Sequence, residues 1–463
     1  MYRLRIIYLG IFSIFAFGCA IGPKYVRPTA QVPAVYKESK DWKKAQPQDE
    51  TLRGAWWKIF NDPQLDALEE QVDISNQNIA VAQAQYAQAY ALVQASKSSF
   101  FPTLGVGSSY TRSHTAGSSK AKPATSNISL SANVSWELDL WGKIRQTMEA
   151  NRANAQASAA DLEGVRLSAK AQLAQDYFQL SSLDVQKKLL DDTSIVYQKF
   201  LALTKNRYAS GVAGKADVLQ AQTQLEGTQA QEIDLGVQRS QLEHAMALLI
   251  GKPASEFSLP ALTQAMMVPN VPTGFPSDIL ERRPDIASAE RHVAAANALI
   301  GVAESAYFPT ITLSASSSAD GSNLARIFSS PNPLWSVGPA LAETIFDAGL
   351  RQAQTAQARA VYDEDVASYR QTVLAAFGQV EDNLAALRIL EQEAEVQDQA
   401  VKDALKSLSI EMDQYKAGIV SALDVINTQV TALNDQRTAV TILGQRMNAC
   451  VLLIEYLGGG WKE

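Results

Sequence analysis

Sliding the chain along itself by 207 residues brings it back into register. Phe101-Pro102-Thr103 recurs as Phe308-Pro309-Thr310, and the same shift carries Asn78-Ile79-Ala80 onto Asp285-Ile286-Ala287 and Ala91-Leu92 onto Ala298-Leu299. It takes Gly142 to Gly349, and Tyr208, Gly211, Asp217, Val218 and Gln222 to Tyr415, Gly418, Asp424, Val425 and Gln429; Gly251 falls on Gly458. A three-residue match arises by chance, but a register held without slippage from residue 78 to residue 251 does not. The chain is a tandem duplication, so any fold assigned to it must be built twice.

Each copy reads as helix, two strands, a very long helix, a turn and another long helix. From Asn127 to Glu137, Ile128, Leu130, Ala132, Val134 and Trp136 alternate with polar residues, the period of a strand with one apolar face. Its partner precedes it, with Leu104, Val106 and Tyr110 on one face and Thr103, Gly105, Gly107, Ser109 and Thr111 on the other. Ser113 to Ser126, with Gly117 and Pro123, reads as an exposed loop. The second copy repeats the pair through Ile311, Leu313 and Ala315, a loop near Asp320 to Pro333, and Trp335, Val337 and Leu341. Between Lys143 and Tyr208 there is no proline and one glycine, Gly164. As a helix this stretch would be roughly 100 Å long at 1.5 Å per residue, far beyond the three or four turns usual in globular proteins. Ala221, Leu225, Thr228, Glu232, Leu235, Arg239, Leu242, Met246 and Leu249 then follow heptad spacing, with Glu232 and Arg239 interrupting the seam. The segments Tyr208–Asp217 and Tyr415–Asp424 therefore read as the turns of two helical hairpins.

At the N-terminus Arg3 and Arg5 precede an apolar run from Ile6 to Phe17, followed by Gly18, Cys19 and Ala20. This is the layout of a secretory signal, too short to be a span. Ala16-Phe17-Gly18-Cys19 resembles a lipoprotein signal, which implies acylation of Cys19; cleavage nearby without a lipid is the alternative. Cys450 is then the one cysteine left, so no disulfide framework is expected, and its apolar neighbours make it a small buried hydrophobe. A net charge of −7 argues against a nucleic-acid partner. The three histidines, His114, His244 and His292, are too scattered for metal-ligand spacing, and no nucleophile or phosphate-loop motif occurs, so no catalytic or metal residue is assigned. Arg282, Arg283 and Asp285 flank Pro284 as a helix start.

Four amphipathic strands of about ten residues have the length of tilted membrane strands. Four cannot close a barrel, since the smallest use about eight. An open edge in lipid leaves backbone groups unpaired at several kcal/mol each, which summed along the edge exceeds the net stability of a typical domain. Either the strands lie outside a membrane or several copies share one barrel. Two copies would give eight strands and a filled lumen; three give twelve and room for a pore. Tyr110, Trp136, Trp141 and Trp335 near the strand ends suit an interfacial aromatic belt, or the packing of a soluble sandwich.

Specific motifs join this pattern. Gly22-Pro23-Lys24-Tyr25-Val26-Arg27-Pro28, Trp56-Trp57 through Asp62-Pro63-Gln64-Leu65, Arg282-Arg283-Pro284-Asp285-Ile286, Tyr307-Phe308-Pro309 and Gly458-Gly459-Gly460-Trp461 resemble, in this order, the outer-membrane factors of tripartite efflux systems. The likeness is to the OprM-like, NodT-type lipoproteins, with TolC more distant. The resemblance implies a mixed α/β membrane protein, mainly α: a homotrimer sharing a 12-stranded β-barrel, four strands per chain, continued by a long periplasmic α-helical barrel of coiled-coil hairpins. It implies a passive outer-membrane exit duct of an RND-type efflux system for drugs, toxic compounds or metal ions, with no enzymatic activity and no cofactor beyond the lipid on Cys19. A duct for type I protein secretion is the alternative. Expected partners are a periplasmic adaptor protein, an inner-membrane pump and outer-membrane lipid.

The expected organisation is a signal peptide over 1–18, a lipid-anchored extended segment over 19–63, a first repeat over 64–260, a linker over 261–276 and a second repeat over 277–463. Within the repeats lie β-hairpins at about 102–137 and 309–342, and long helices at about 143–208, 216–250, 349–416 and 422–457. Gly211 and Gly418 suit tight turn geometry, and with Asp217 they mark the hairpin tips at which an adaptor would dock. Asp217 and Asp424 begin the following helices, where capping or dipole compensation explains them. The resemblance implies instead that Leu423, Asp424 and Asn427 face the pore as threefold rings. In related channels, the resemblance implies, an aspartate stands at the position of Asn427, so the amide removes that charge from every chain of the ring.

Overall fold

The computed structural model describes residues 21–33, 36–38, 54–114, 124–262, 267–269, 271, 282–322 and 334–459. Cys19, the signal segment, most of the 261–276 linker, the tips of both strand loops and the Gly460-Trp461 end of the chain lie outside these residues. After a one-turn 3₁₀ helix at Trp56–Phe60 come α1 (Pro63–Ser75), α2 (Gln77–Ser98), β1 (Thr103–Ser113), β2 (Thr125–Glu137), α3 (Lys143–Ala209) and α4 (Lys215–Leu249). Then follow a short 3₁₀ turn at Ala254–Glu256, α5 (Pro284–Ser305), β3 (Thr310–Gly321), β4 (Leu334–Ala342), α6 (Leu350–Ala417) and α7 (Ala422–Tyr456). The starts of α2 and α5, of β1 and β3, of α3 and α6, and of α4 and α7 are each 207 residues apart. The duplication read in the sequence is thus a duplication of structure. No described helix is long and apolar enough to cross a membrane.

The chain divides into two compact units that do not coincide with the repeats: Met1–Thr29, Gln85–Ala159 and Ser288–Arg370 form one, and Ala30–Ala84, Ala160–Ala287 and Gln371–Glu463 the other. Each unit draws on both copies.

The first unit holds the sheet, a four-stranded antiparallel meander in the order β1-β2-β3-β4. Leu104 pairs with Val134, Val106 with Ala132 and Tyr110 with Ile128, so the apolar positions share one face as their alternation requires. The opposite face carries small polar groups, with Ser109 Oγ 2.7 Å from Ser129 Oγ and Ser316 Oγ 2.8 Å from Ser336 Oγ. At the base of the sheet Trp136 Nε1 donates to the Phe100 carbonyl (2.9 Å) and Trp141 Nε1 to the Pro309 carbonyl (2.7 Å). Trp141 also stacks on Phe308 at 4.9 Å. The extended segment beginning at Ile21 is tied down in the same unit: Ile21 N–H donates to the Trp141 carbonyl, Tyr25 hydroxyl to Glu290, and Asn297 Nδ2 to the Pro23 carbonyl. A Cβ on Gly22 would lie 2.6 Å from Gly301 Cα, so the backbones meet where neither bears a side chain.

The second unit shows why two further glycines recur. Gly251 (φ +68°) and Gly458 (φ +95°) end α4 and α7 in left-handed geometry. A Cβ would sit 2.2 Å from the Ser75 carbonyl oxygen at one site and 2.5 Å from the Arg282 carbonyl oxygen at the other. Beside them Asn76 Nδ2 donates to the Leu249 carbonyl (2.8 Å) while its Oδ1 caps α2 through Asn78 and Ile79 N–H. Arg283 does the corresponding job in the second copy, donating to the Tyr456 carbonyl (3.1 Å) and gripping Asp285 with two nitrogens (3.0 and 2.7 Å). Asp62 caps α1 through Gln64 and Leu65 N–H and accepts the Tyr177 hydroxyl at 2.6 Å. In the α4 seam Ala221, Leu225, Thr228, Leu235 and Met246 are buried. The two charged interruptions are ion-paired, Glu232 with Lys187 (3.2 Å) and Arg239 with Asp184 (2.7 Å) and Glu243 (2.7 Å).

Candidate functional site

The two helical turns lie in the second unit. Both close by the same backbone motif. After α3, Gly211 takes φ +72°, Val212 N–H returns to the Arg207 carbonyl (2.9 Å) and Gly211 N–H to the Tyr208 carbonyl (2.9 Å). After α6, Gly418 takes φ +79°, with Ile419 N–H on the Gln414 carbonyl (2.9 Å) and Gly418 N–H on the Tyr415 carbonyl (3.0 Å). These are helix C-caps that need a residue free to adopt positive φ, the role expected of both glycines.

The next helices begin differently. Asp217 reaches back to accept the Gly214 N–H at 2.9 Å. Asp424 accepts both the N–H (2.9 Å) and the hydroxyl (2.6 Å) of Ser421, whose Oγ in turn caps the Asp424 N–H. That reciprocal box satisfies helix donors that would otherwise lack partners. The Ser421 hydroxyl, then its backbone N–H, hold the Asp424 carboxyl below the usual carboxylate range. Asp424 therefore caps α7, and it remains exposed together with Leu423 and Asn427. Leu423 and Asn427 stand one helical turn apart on that exposed face. Behind it, Ala422, Val425 and Ile426 are buried against Tyr197, Phe200, Leu225 and Tyr415.

One residue of this region, Arg207, was not singled out by the sequence. Arg207 donates to the Tyr415 carbonyl and places its guanidinium carbon 4.4 Å from the centre of the Tyr415 ring. Thr204 Oγ1 meets the Tyr415 hydroxyl at 3.3 Å, and the Phe200 ring lies 5.3 Å away. The position of Arg207 in the second copy is Gln414, so the duplication hides this contact: its only hint was a charge unmatched between copies.

The sheet is the other candidate surface. Leu104, Val106, Tyr110, Trp335, Val337 and Leu341 are all exposed, and among the described residues β1 and β4 each have a strand on one side only. Cys450 is buried, which pushes its thiol up to about 12. Among the described residues no group of three or more His, Cys, Asp or Glu side chains could hold a metal ion.

Comparison with known proteins places this architecture. The family model described as "Outer membrane efflux protein" matches twice, over residues 68–252 and 275–459; its two starts and its two ends each differ by 207. The probable outer membrane lipoprotein SilC of Salmonella typhimurium is 28% identical over 465 residues, 100% of both chains. The pyoverdine export outer membrane protein OpmQ of Pseudomonas aeruginosa is 30% identical over 426 residues, 88% of each chain. The solved structure of the outer-membrane channel OprN superimposes with a TM-score of 0.87 at 28% identity, covering 96% of this chain and 100% of that one. The chain belongs to the outer membrane efflux protein family and is an outer-membrane efflux channel.

Proposed function

We propose that three copies form one passive exit duct of a tripartite efflux system, each contributing four strands to a shared twelve-stranded barrel. The carrying observation is the open sheet: among the described residues β1 and β4 are unpaired on their outer sides, and the strands expose one apolar face. In lipid those edges are tolerable only if another copy pairs them. The small polar side chains of the other face then line a water-filled lumen, which conducts solute without consuming energy. Drugs, toxic compounds or metal ions are the proposed cargo, delivered by an inner-membrane pump. The Gly211 and Gly418 turns, with Asp217, are the proposed docking points of a periplasmic adaptor. Leu423, Asp424 and Asn427 form the proposed gate ring, supported by their common exposed face on α7. Asp424 can serve the cap and the ring together, since capping uses one carboxylate oxygen. Acylation of Cys19 supplies the lipid anchor, leaving Ile21 two residues away to start the strapped segment.

The test is the native mass of the detergent-extracted outer-membrane protein. A species of about 150 kDa, three times the 50.2 kDa chain, supports the duct. A single-chain mass sinks it.

A further inference from the structure

The duplication extends to the pairing of the strands. In the first copy Thr103 pairs with Ser135 and Val106 with Ala132; in the second, Thr310 pairs with Ala342 and Leu313 with Pro339. Every number is shifted by 207, so β3 is the counterpart of β1 and β4 of β2. The sheet therefore shows one junction between copies of the repeat, β2 on β3: the second strand of one repeat beside the first strand of the next. Among the described residues, β4 is a second strand with no first strand on its outer side, and β1 a first strand with no second strand on its outer side.

We infer that the seam between neighbouring chains repeats the β2–β3 junction, register included, with β4 of one chain pairing antiparallel to β1 of the next copy. This rests on the shared-barrel reading and adds to it the residue pairs. Shifting β2 up and β3 down by 207 converts Val134↔Ala315 into Leu341 opposite Ser108 of the next copy. In the same way Leu130↔Ala319 becomes Val337 opposite Arg112, and Ile128↔Gly321 becomes Trp335 opposite His114. The junction inside the chain continues past its strands, where Leu138 N–H donates to the Ile311 carbonyl at 2.8 Å. Its shifted counterpart joins Ile345 to Leu104 of the next copy. Those two side chains are 85% and 71% exposed in the single chain, which a partner strand would explain.

The faces agree with this register. Trp335, Val337 and Leu341 on β4 meet the face of β1 that bears Leu104, Val106 and Tyr110. A slip of one residue would turn that apolar set toward the polar side, so the competitors are slips of two. The register also fixes the stagger. Val106 pairs with Ala132, Ala132 with Ser317 and Ser317 with Trp335. Trp335 would then pair with His114 of the next copy, so one circuit through a chain advances from 106 to 114 along β1. A barrel built this way is strongly sheared, and strand tilt follows from shear.

Cysteine pairs in the full-length protein, oxidised in outer membranes with copper phenanthroline, test the register; Cys450 is buried and takes no part. Leu341→Cys with Ser108→Cys, and Val337→Cys with Arg112→Cys, should lose the monomer band to covalent multimers on a non-reducing gel. Leu341→Cys with Val106→Cys or with Tyr110→Cys should stay monomeric, because diagonal neighbours lie about 7–8 Å apart, beyond disulfide reach. Single-cysteine controls establish that each variant assembles. If an off-register pair cross-links in preference, or native multimers form and neither in-register pair cross-links, the register is wrong and the shared barrel stands. A single-chain native mass overturns both.

Discussion

Tyr208 and Tyr415 occupy the same place in the two repeats, one turn before the helix-ending glycine, yet Tyr415 is 3% exposed and Tyr208 48%. Within one chain the second hairpin turn lies against α3, where Arg207, Thr204 and Phe200 close over Tyr415. Among the described residues the first turn has no such neighbour. Truncating a buried aromatic costs about 3–5 kcal/mol, whereas an exposed side chain changes stability by about 0.5 kcal/mol. Tyr415→Ala should therefore accelerate amide exchange through both hairpin turns, and Tyr208→Ala should leave exchange in the isolated subunit unchanged. Equal effects from the two variants would refute the asymmetry.

Arg207 stabilises the second turn by a charge-assisted hydrogen bond and a ring contact. Replacing it with Gln should cost about 2–4 kcal/mol, the combined range for those two interactions. Single-channel recording should show longer or more frequent openings if the turn takes part in the gate.

For the gate residues, Leu423→Ala should raise conductance, since Leu423 is exposed and its removal touches no core contact. Asp424→Ala removes a ring charge and a helix cap together, and cap loss costs about 1 kcal/mol. Asp424→Asn retains an acceptor for Ser421 and removes the charge alone. Planar-bilayer conductance of all three variants separates these effects; wild-type values throughout would remove α7 from the constriction.

Gly251→Ala and Gly458→Ala should each destabilise the fold by more than the ~1–2 kcal/mol of positive-φ strain alone, because the added Cβ also meets a carbonyl. Gly211→Ala meets nothing within 4 Å and should cost only the strain. Thermal unfolding of the three variants gives the ranking, and a Gly211 variant as unstable as the other two would contradict it.

Glu69, on α1, is fully buried, and neither carboxylate oxygen has a hydrogen-bond partner among the described residues. Burial raises its pKa well above the ordinary value; Lys170 opposes the shift, while Asp73 and Asp66 add to it. Lys170 itself is held by Asp73 at 2.6 Å and sits 4.3 Å over the Trp57 ring. A raised carboxyl pKa means the folded state holds the proton more tightly than the unfolded chain. Its stabilising contribution is complete below the unfolded value and is lost as pH rises through the folded one. Glu69→Gln should therefore be more stable than the wild type at neutral pH, with the difference shrinking toward about pH 4. Melting temperatures across that range supply the check, and a pH-independent difference would mean Glu69 is charged when folded.

Much of this protein was legible in the chain itself because its signals are local or periodic. Alternation over Ile128 to Trp136 defined a strand and its apolar face, since successive side chains on a strand point opposite ways. The uninterrupted run after Lys143 defined a long helix, and Gly211 and Gly418 marked its turns. The shift of 207 showed that one unit was made twice, and the count of four strands required further copies wherever those strands lie in lipid.

Tertiary structure alone decided what the two copies do differently. Identical tyrosines at 208 and 415 acquire opposite environments because a duplicated unit has only one partner copy within its own chain, and burial depends on which neighbour arrives. For the same reason Arg207 finds the carbonyl of Tyr415, Asn76 and Arg283 anchor equivalent helix ends with different chemistry, and β2 is paired on both sides while β4 is paired on one. Such contacts join residues far apart in sequence, and their energies come from desolvation and geometry that exist only once the helices and strands have met.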